Sequence, residues 1–253
     1  MRNQTLFGYR PAIKTNLMIK NLKSIITYLF ALLIPASSLA QIKQEYSSWN
    51  SVIIDSQISE KFFIKNEVHF RRTHFLRDWQ QFLIRPSLHY KFNKSIRFTL
   101  GYTFVKNYRN TVNFNENNIW EQFELTQTSF NSKFKHHFRF EQRFIQQVID
   151  TTNIVSGTKF NMRFRYRFTW IIPLFKLTES KKITFTFFDE IWLNTQKGIV
   201  PRSLNQNWFY IGLGFPIFKK MSIGIGYMSV FSPKLNSNFT NNNLIQTTLK
   251  YHI

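Results

Sequence analysis

"FNMRFRYRFTW", residues 160–170, decides the fold. Phe160, Met162, Phe164, Tyr166, Phe168 and Trp170 take alternate positions, with Asn161, Arg163, Arg165, Arg167 and Thr169 between them. Strict alternation is the signature of a strand, whose successive side chains point to opposite faces. One face is aromatic and the other carries three guanidinium groups, so each must meet a different surrounding. An arginine facing lipid costs about 2–4 kcal/mol near the bilayer midplane. Three on one strand would defeat insertion. The aromatic face is therefore expected against lipid, and the arginines in the lumen of a membrane barrel.

The same code recurs along the chain. Phe134, Phe138, Phe140 and Phe144 share one face of their segment, and Lys135, His137, Arg139, Glu141 and Arg143 share the other. Ile96, Phe98, Leu100, Tyr102 and Phe104 oppose Arg97, Thr99, Gly101 and Thr103. Ile183, Phe185, Phe187 and Ile191 oppose Thr184, Thr186, Glu190 and Asn194. On this phase Phe164→Arg or Phe140→Arg should block insertion, while Arg165→Ala should be milder because a lumen position meets water or other charges.

Alternation predicts strands at 45–58, 62–73, 79–92, 96–108, 118–130, 134–146, 158–172, 182–194, 205–217, 221–231 and 243–253. Most exceed the usual five or six residues of a globular strand and suit a tilted bilayer crossing of about 9–11 residues. Short connections near 59–61, 93–95, 131–133, 176–181 and 218–220 carry Lys61, Lys94, Lys133, Lys176 and Lys219. They alternate with longer polar ones at 109–117, 147–157, 195–204 and 232–242, as in barrels with short periplasmic turns and longer outer loops. Bacterial single-chain barrels have even strand numbers. Segment 45–58 alternates least cleanly, with Ser48 and Asn50 on the face of Val52 and Ile54, so ten or twelve strands are both open. Trp79, Trp120, Trp170, Trp192 and Trp208 lie near strand ends and are expected in an interfacial aromatic girdle. A soluble, lipocalin-like exported barrel is the alternative phase. Five or six inward aromatics on most strands would overfill a small barrel.

Bulk properties agree with export. The chain has 253 residues, 29 of them Phe, no cysteine, and a formal charge of +21. Such a basic excess suggests nucleic acid, an anionic surface or acidic ligands as partners. "MIKNLKSIITYLFALLIPASSLAQ", residues 18–41, places Lys20 and Lys23 before an apolar run from Ile25 to Ile34, with small residues ahead of a cut between Ala40 and Gln41. That is a secretory signal layout, too short to span a membrane, and residues 1–17 read as an extension upstream of a start at Met18. Residues 1–40 are thus expected to be removed, leaving 41–253 as one barrel. An exported chain does not meet nucleic acid, so no nucleic-acid partner is expected.

"NIWEQFEL" (118–125), "FRFEQRFI" (138–145), "RFRYRF" (163–168), "FFDEIWLN" (187–194) and "WFYIGLGF" (208–215) together resemble the outer-membrane barrel family known as domain of unknown function 2490. The resemblance covers roughly the mature chain. It implies an outer-membrane β-barrel and brings no activity, cofactor or catalytic residues. The ending "LKYHI" resembles a signal for the barrel assembly machinery, with Leu249, Tyr251 and Ile253 on the apolar face and no terminal Phe or Trp.

The expected fold is all-β: an antiparallel transmembrane barrel of about 10–12 strands in the bacterial outer membrane, monomeric and in contact with outer-membrane lipid. Its lumen set is Glu67, Arg71, Arg85, His89, Glu124, Arg139, Glu141, Arg143, Arg163, Arg165, Arg167 and Glu190. Buried charges need partners, and folding the strands about their turns puts Glu141 near Arg163 and Glu190 near Arg167. Two roles follow from such a lumen: a salt-bridged filling with a structural purpose, or a narrow anion-biased channel for small anionic solutes. A lipid-modifying enzyme is the third class. His74 and Asp78 share one outer loop, with Ser203 and Asp150 in others, but no spacing marks them as a catalytic set. No metal or cofactor is expected: His136–His137 and Asp189–Glu190 are adjacent on strands and point to opposite faces.

Overall fold

The computed structural model describes residues 42–109, 112–149, 154–178, 181–195, 201–233 and 238–253. The signal segment and Asp150 lie outside the described residues. Eleven strands are described: β1 (Ile42–Gln57), β2 (Phe62–Thr73), β3 (Asp78–Lys91), β4 (Ile96–Arg109), β5 (Val112–Ser129), β6 (Ser132–Ile149), β7 (Ile154–Thr178), β8 (Lys181–Thr195), β9 (Pro201–Phe218), β10 (Met221–Pro233) and β11 (Phe239–His252). Each pairs antiparallel with its neighbour in sequence, and β1 closes the barrel on β11.

The strand number is odd, and segment 45–58 is a wall strand. With eleven up-and-down strands the first and last run the same way, so closure has to be parallel. It is: Ser48 sits opposite Ile245 and Val52 opposite Leu249. The even-number expectation of ten or twelve is corrected here. Two polar residues of β1 find partners at and beside this seam. Gln44 Oε1 accepts from Asn243 Nδ2 at 2.8 Å, and Asn50 Nδ2 donates to Ser48 Oγ at 3.4 Å.

Strands also run further than alternation suggests. β5 starts at Val112 and β7 spans 25 residues, so most of the long polar connections are wall. Arg109 pairs Val112 and Val148 pairs Val155 within stretches expected to be loop. Continuing a ladder satisfies backbone donors and acceptors whatever the side chains are. Polar composition alone therefore misplaces the ends. At the other end the turns are tight. Phe130 and Asn131 both take positive φ (48° and 59°) in a two-residue hairpin, the geometry that matches strand twist. Lys61, Lys94 and Lys219 stand in turns, whereas Lys133 and Lys176 belong to β6 and β7.

The aromatic phase is outward. Phe160, Phe138, Phe98 and Leu100 are exposed, while Arg163, Arg165 and Thr169 are buried. Neighbouring outward rings contact each other along the wall, as in Phe98–Phe123–Phe138–Tyr166. The tryptophans do not form one girdle. Trp79 and Trp170 face out, but Trp120 (1% exposed), Trp192 and Trp208 point into the lumen and are buried. Together with Trp49, Phe188, Met228, Val230 and Leu244, Trp192 and Trp208 make an apolar core on the inner side of β8–β11 and β1. The interior is thus half charged and half apolar, because a small barrel must be filled by side chains.

Inward glycines make room for this filling. A Cβ on Gly101 would overlap the Trp120 ring, and Tyr210 lies as closely over Gly212 and Gly226. Gly101→Ala is expected to displace Trp120 and destabilise the barrel by about 1–3 kcal/mol, the usual cost of overpacking. A urea titration of refolded protein followed by tryptophan fluorescence measures it. An unchanged midpoint would show that Trp120 moves freely.

Candidate functional site

The lumen collects every residue of the sequence-derived charge set, and strand register decides who meets whom. Glu141 stands opposite Arg163, and Glu190 opposite Arg167. Arg163 donates to Glu141 Oε2 from Nε (2.8 Å) and Nη2 (2.5 Å), and Arg167 Nη2 donates to Glu190 Oε2 at 2.7 Å. Arg165 lies between them. Its Nη1 donates to Glu141 Oε1 and its Nη2 to Glu190 Oε1, both at 2.7 Å. This is a Glu–Arg–Glu chain across three strands. Arg139 lies 3.8 Å from Glu141 and donates from Nε to Gln122.

Outlying members pair locally. Glu67 contacts His69 at 2.9 Å and Arg85 at 3.5 Å. Arg71 Nη1 donates to Gln81 Oε1 at 2.7 Å. Glu124 gathers Arg97, Lys135 (3.3 Å) and His137 (2.5 Å). Arg143 holds Glu116 by two bonds, 2.7 and 3.0 Å. Glu116 escapes a sequence reading because its stretch reads as loop. Arg97, Lys135 and His137 are legible on lumen faces by alternation alone.

Aromatic rings clamp the cations. The Arg71 guanidinium lies 3.8 Å over Trp49 and Arg165 lies 3.6 Å over Trp192. Trp208 contacts both tryptophans, at 5.2 and 4.2 Å between ring centroids. Arg139 caps Trp120 at 3.8 Å, and Arg167 caps Phe188 at 4.2 Å. Desolvated cation–π contacts of this kind are worth about 2 kcal/mol each. They let arginine carry charge against an apolar wall, where lysine would be a poorer stacker.

Trp49, Arg71, Arg85 and Trp208 form a layer that lines two chambers at once. One chamber, about 540 Å³, lies toward the β4–β5 and β6–β7 connections and includes Asn107, Glu116, Arg143 and Thr240. The other, about 430 Å³, lies toward the tight turns and includes Lys65, Arg97, Lys135 and Lys250.

Of the described residues weighed for hydrolytic chemistry, His74 and Asp78 meet and Ser203 stands on a different strand. His74 Nδ1 lies 2.8 Å from Asp78 Oδ2 at the exposed β2–β3 loop, and this bond, with Arg77 beside it, holds the Asp78 carboxyl below the usual carboxylate range. Ser203 is on β9, opposite Asn194. His89 does meet a hydroxyl: Ser87 Oγ is 3.0 Å from Nε2, and Thr99 Oγ1 is 2.9 Å from Nδ1. All three are buried and Phe63 stacks on the imidazole at 4.3 Å, so the group reads as packed wall. His136 turns outward to Tyr166 Oη (2.8 Å) while His137 turns inward to Glu124.

Comparison with curated proteins finds no match. The family model described as "Protein of unknown function (DUF2490)" matches residues 46–241, from β1 into β11, and with that match over most of a closed β-barrel the chain belongs to this family.

Proposed function

We propose that the protein is an outer-membrane β-barrel whose lumen is a narrow, anion-biased passage for small solutes, closed at mid-height by the Trp49–Arg71–Trp208 layer. One observation carries the reading: the barrel is inside out relative to a soluble domain, with its charges buried and its aromatics exposed. Exposed apolar area on that scale needs lipid to cover it. The outward carboxylates fit because each has an amide neighbour. Gln142 Nε2 donates to Glu121 at 3.2 Å and Asn207 Nδ2 to Asp189 at 3.1 Å. Acidic residues on a lipid face also cost less than basic ones. A lipocalin-like reading would need an open apolar cavity, whereas the apolar half of this lumen is packed.

Anion bias follows from the surplus of guanidinium and ammonium over carboxylate in a confined, low-dielectric space. Planar-bilayer recording of refolded protein is expected to show small, anion-selective conductance. Trp49→Ala with Trp208→Ala removes the dividing rings but leaves every charge, so conductance should rise several-fold with selectivity kept. A large cation-selective wild-type pore would refute the passage. Silence in both proteins would assign the barrel a structural role instead.

A further inference from the structure

The two chambers differ in charge, and the difference is one-sided. Lys and Arg lining only the chamber away from the tight turns are Arg109, Arg143 and Arg163, against Glu45, Glu116 and Glu141, with Glu45 also held by Lys43 at 3.2 Å. That half is close to balance. Cations lining only the tight-turn chamber are Lys65, Arg97, Lys135, Arg139, Arg165, Arg167 and Lys250, against Glu67, Glu124 and Glu190. Asp55 offsets Lys250 at 3.0 Å, and among the described residues positive charge remains in excess even though Arg165 also shares Glu141 with Arg163. Arg71 and Arg85, on the dividing layer, add to it.

The excess has identifiable owners. Lys65, half-buried in the chamber lining, makes no ion pair within 4.0 Å among the described residues. Arg139 reaches its nearest carboxylate only at 3.8 Å, and its buried Nη1 has no hydrogen-bond partner. Glu124 is shared among Arg97, Lys135 and His137, so one carboxylate answers two full cations. Buried cations without carboxylates are costly unless an anion supplies the missing charge.

We propose that the tight-turn chamber is a binding site for a small, multivalent, phosphate-bearing solute, entered from the tight-turn end. Its volume of about 430 Å³ falls in the range of small-molecule pockets. Arginine forks with lysine point charges are the donor set that phosphate oxygens take. The Trp49–Arg71–Trp208 layer bounds its inner end. The barrel wall separates the site from lipid, so lipid headgroups cannot supply the phosphate. Placing that end in the periplasm rests on the outer-membrane proposal, since barrels of that kind carry their short turns on the periplasmic side. The site itself does not.

Pyrophosphate titrated calorimetrically into the full barrel, refolded in non-ionic detergent, tests the site. Saturable one-to-one binding is expected at low salt. Lys65→Met, which strands no carboxylate, should weaken it about tenfold, the loss of one charge-assisted contact. Arg143→Met with Glu116→Gln, a neutral pair change in the other chamber, should leave it unaltered. Heat-modifiable migration on gels establishes that each variant is folded. Binding that ignores Lys65→Met, or that falls with the Arg143 and Glu116 pair, overturns the site, as does absence of binding in folded wild type. A barrel that binds pyrophosphate yet never conducts keeps the site and discards only the passage. A barrel that conducts anions but does not bind does the reverse.

Discussion

Truncating Arg165 to alanine is expected to cost the barrel about 3–5 kcal/mol, the penalty for removing one partner of a buried ion pair. Arg165 is 3% exposed, and its guanidinium joins Glu141 and Glu190 while stacking on Trp192. After truncation Glu141 keeps Arg163 and Glu190 keeps Arg167, but each loses its shared donor and the Trp192 face is left uncovered. Alternation alone suggests the opposite, a mild lumen substitution softened by water. Register reverses that expectation, because it sets a carboxylate on either side of the same guanidinium. Arg165→Lys should fall between, since it restores charge without the planar fork. Urea unfolding of refolded wild type and variants measures the difference. A loss below about 1 kcal/mol for Arg165→Ala would mean water already fills the space and the Glu–Arg–Glu chain is incidental.

Phe164→Arg should block stable insertion. Phe164 faces outward on β7 between Phe140 and Leu193, so an arginine there has rings and aliphatic carbon on both sides. In lipid the charge costs about 2–4 kcal/mol at mid-depth. In water the same charge on an exposed strand position would cost almost nothing. The substitution therefore separates a membrane barrel from a soluble one more sharply than a lumen change does. Refolding into phospholipid vesicles, with Phe164→Leu as the size control, reports it by protease protection. Equal insertion of both variants would remove lipid from the account of the outer face.

Alternation within residues 160–170 was enough to establish strand, face and barrel. Period two is a local property of extended backbone, and every residue states its own side. The charged lumen set was legible for the same reason, down to Glu141 with Arg163, because hairpin turns confine register to a residue or two. Three features were not legible. Strand ends were hidden, since backbone pairing through Val112–Asn117 does not depend on the polarity of the side chains. The destination of Trp120, Trp192 and Trp208 was hidden, because a tryptophan suits either an interface or a filled interior and only the space over Gly101 and beside Trp49 decides between them. The closure was hidden as well. Whether β1 meets β11 concerns chain segments nearly two hundred residues apart, and no local pattern encodes parallel pairing at that distance. The sequence by itself determined which charged side chains face inward. Only the tertiary structure decided which of them meet across the lumen, and so left the positive charge close to balance in one chamber and in excess in the other, because charge neutralisation depends on distances between strands rather than on composition along them.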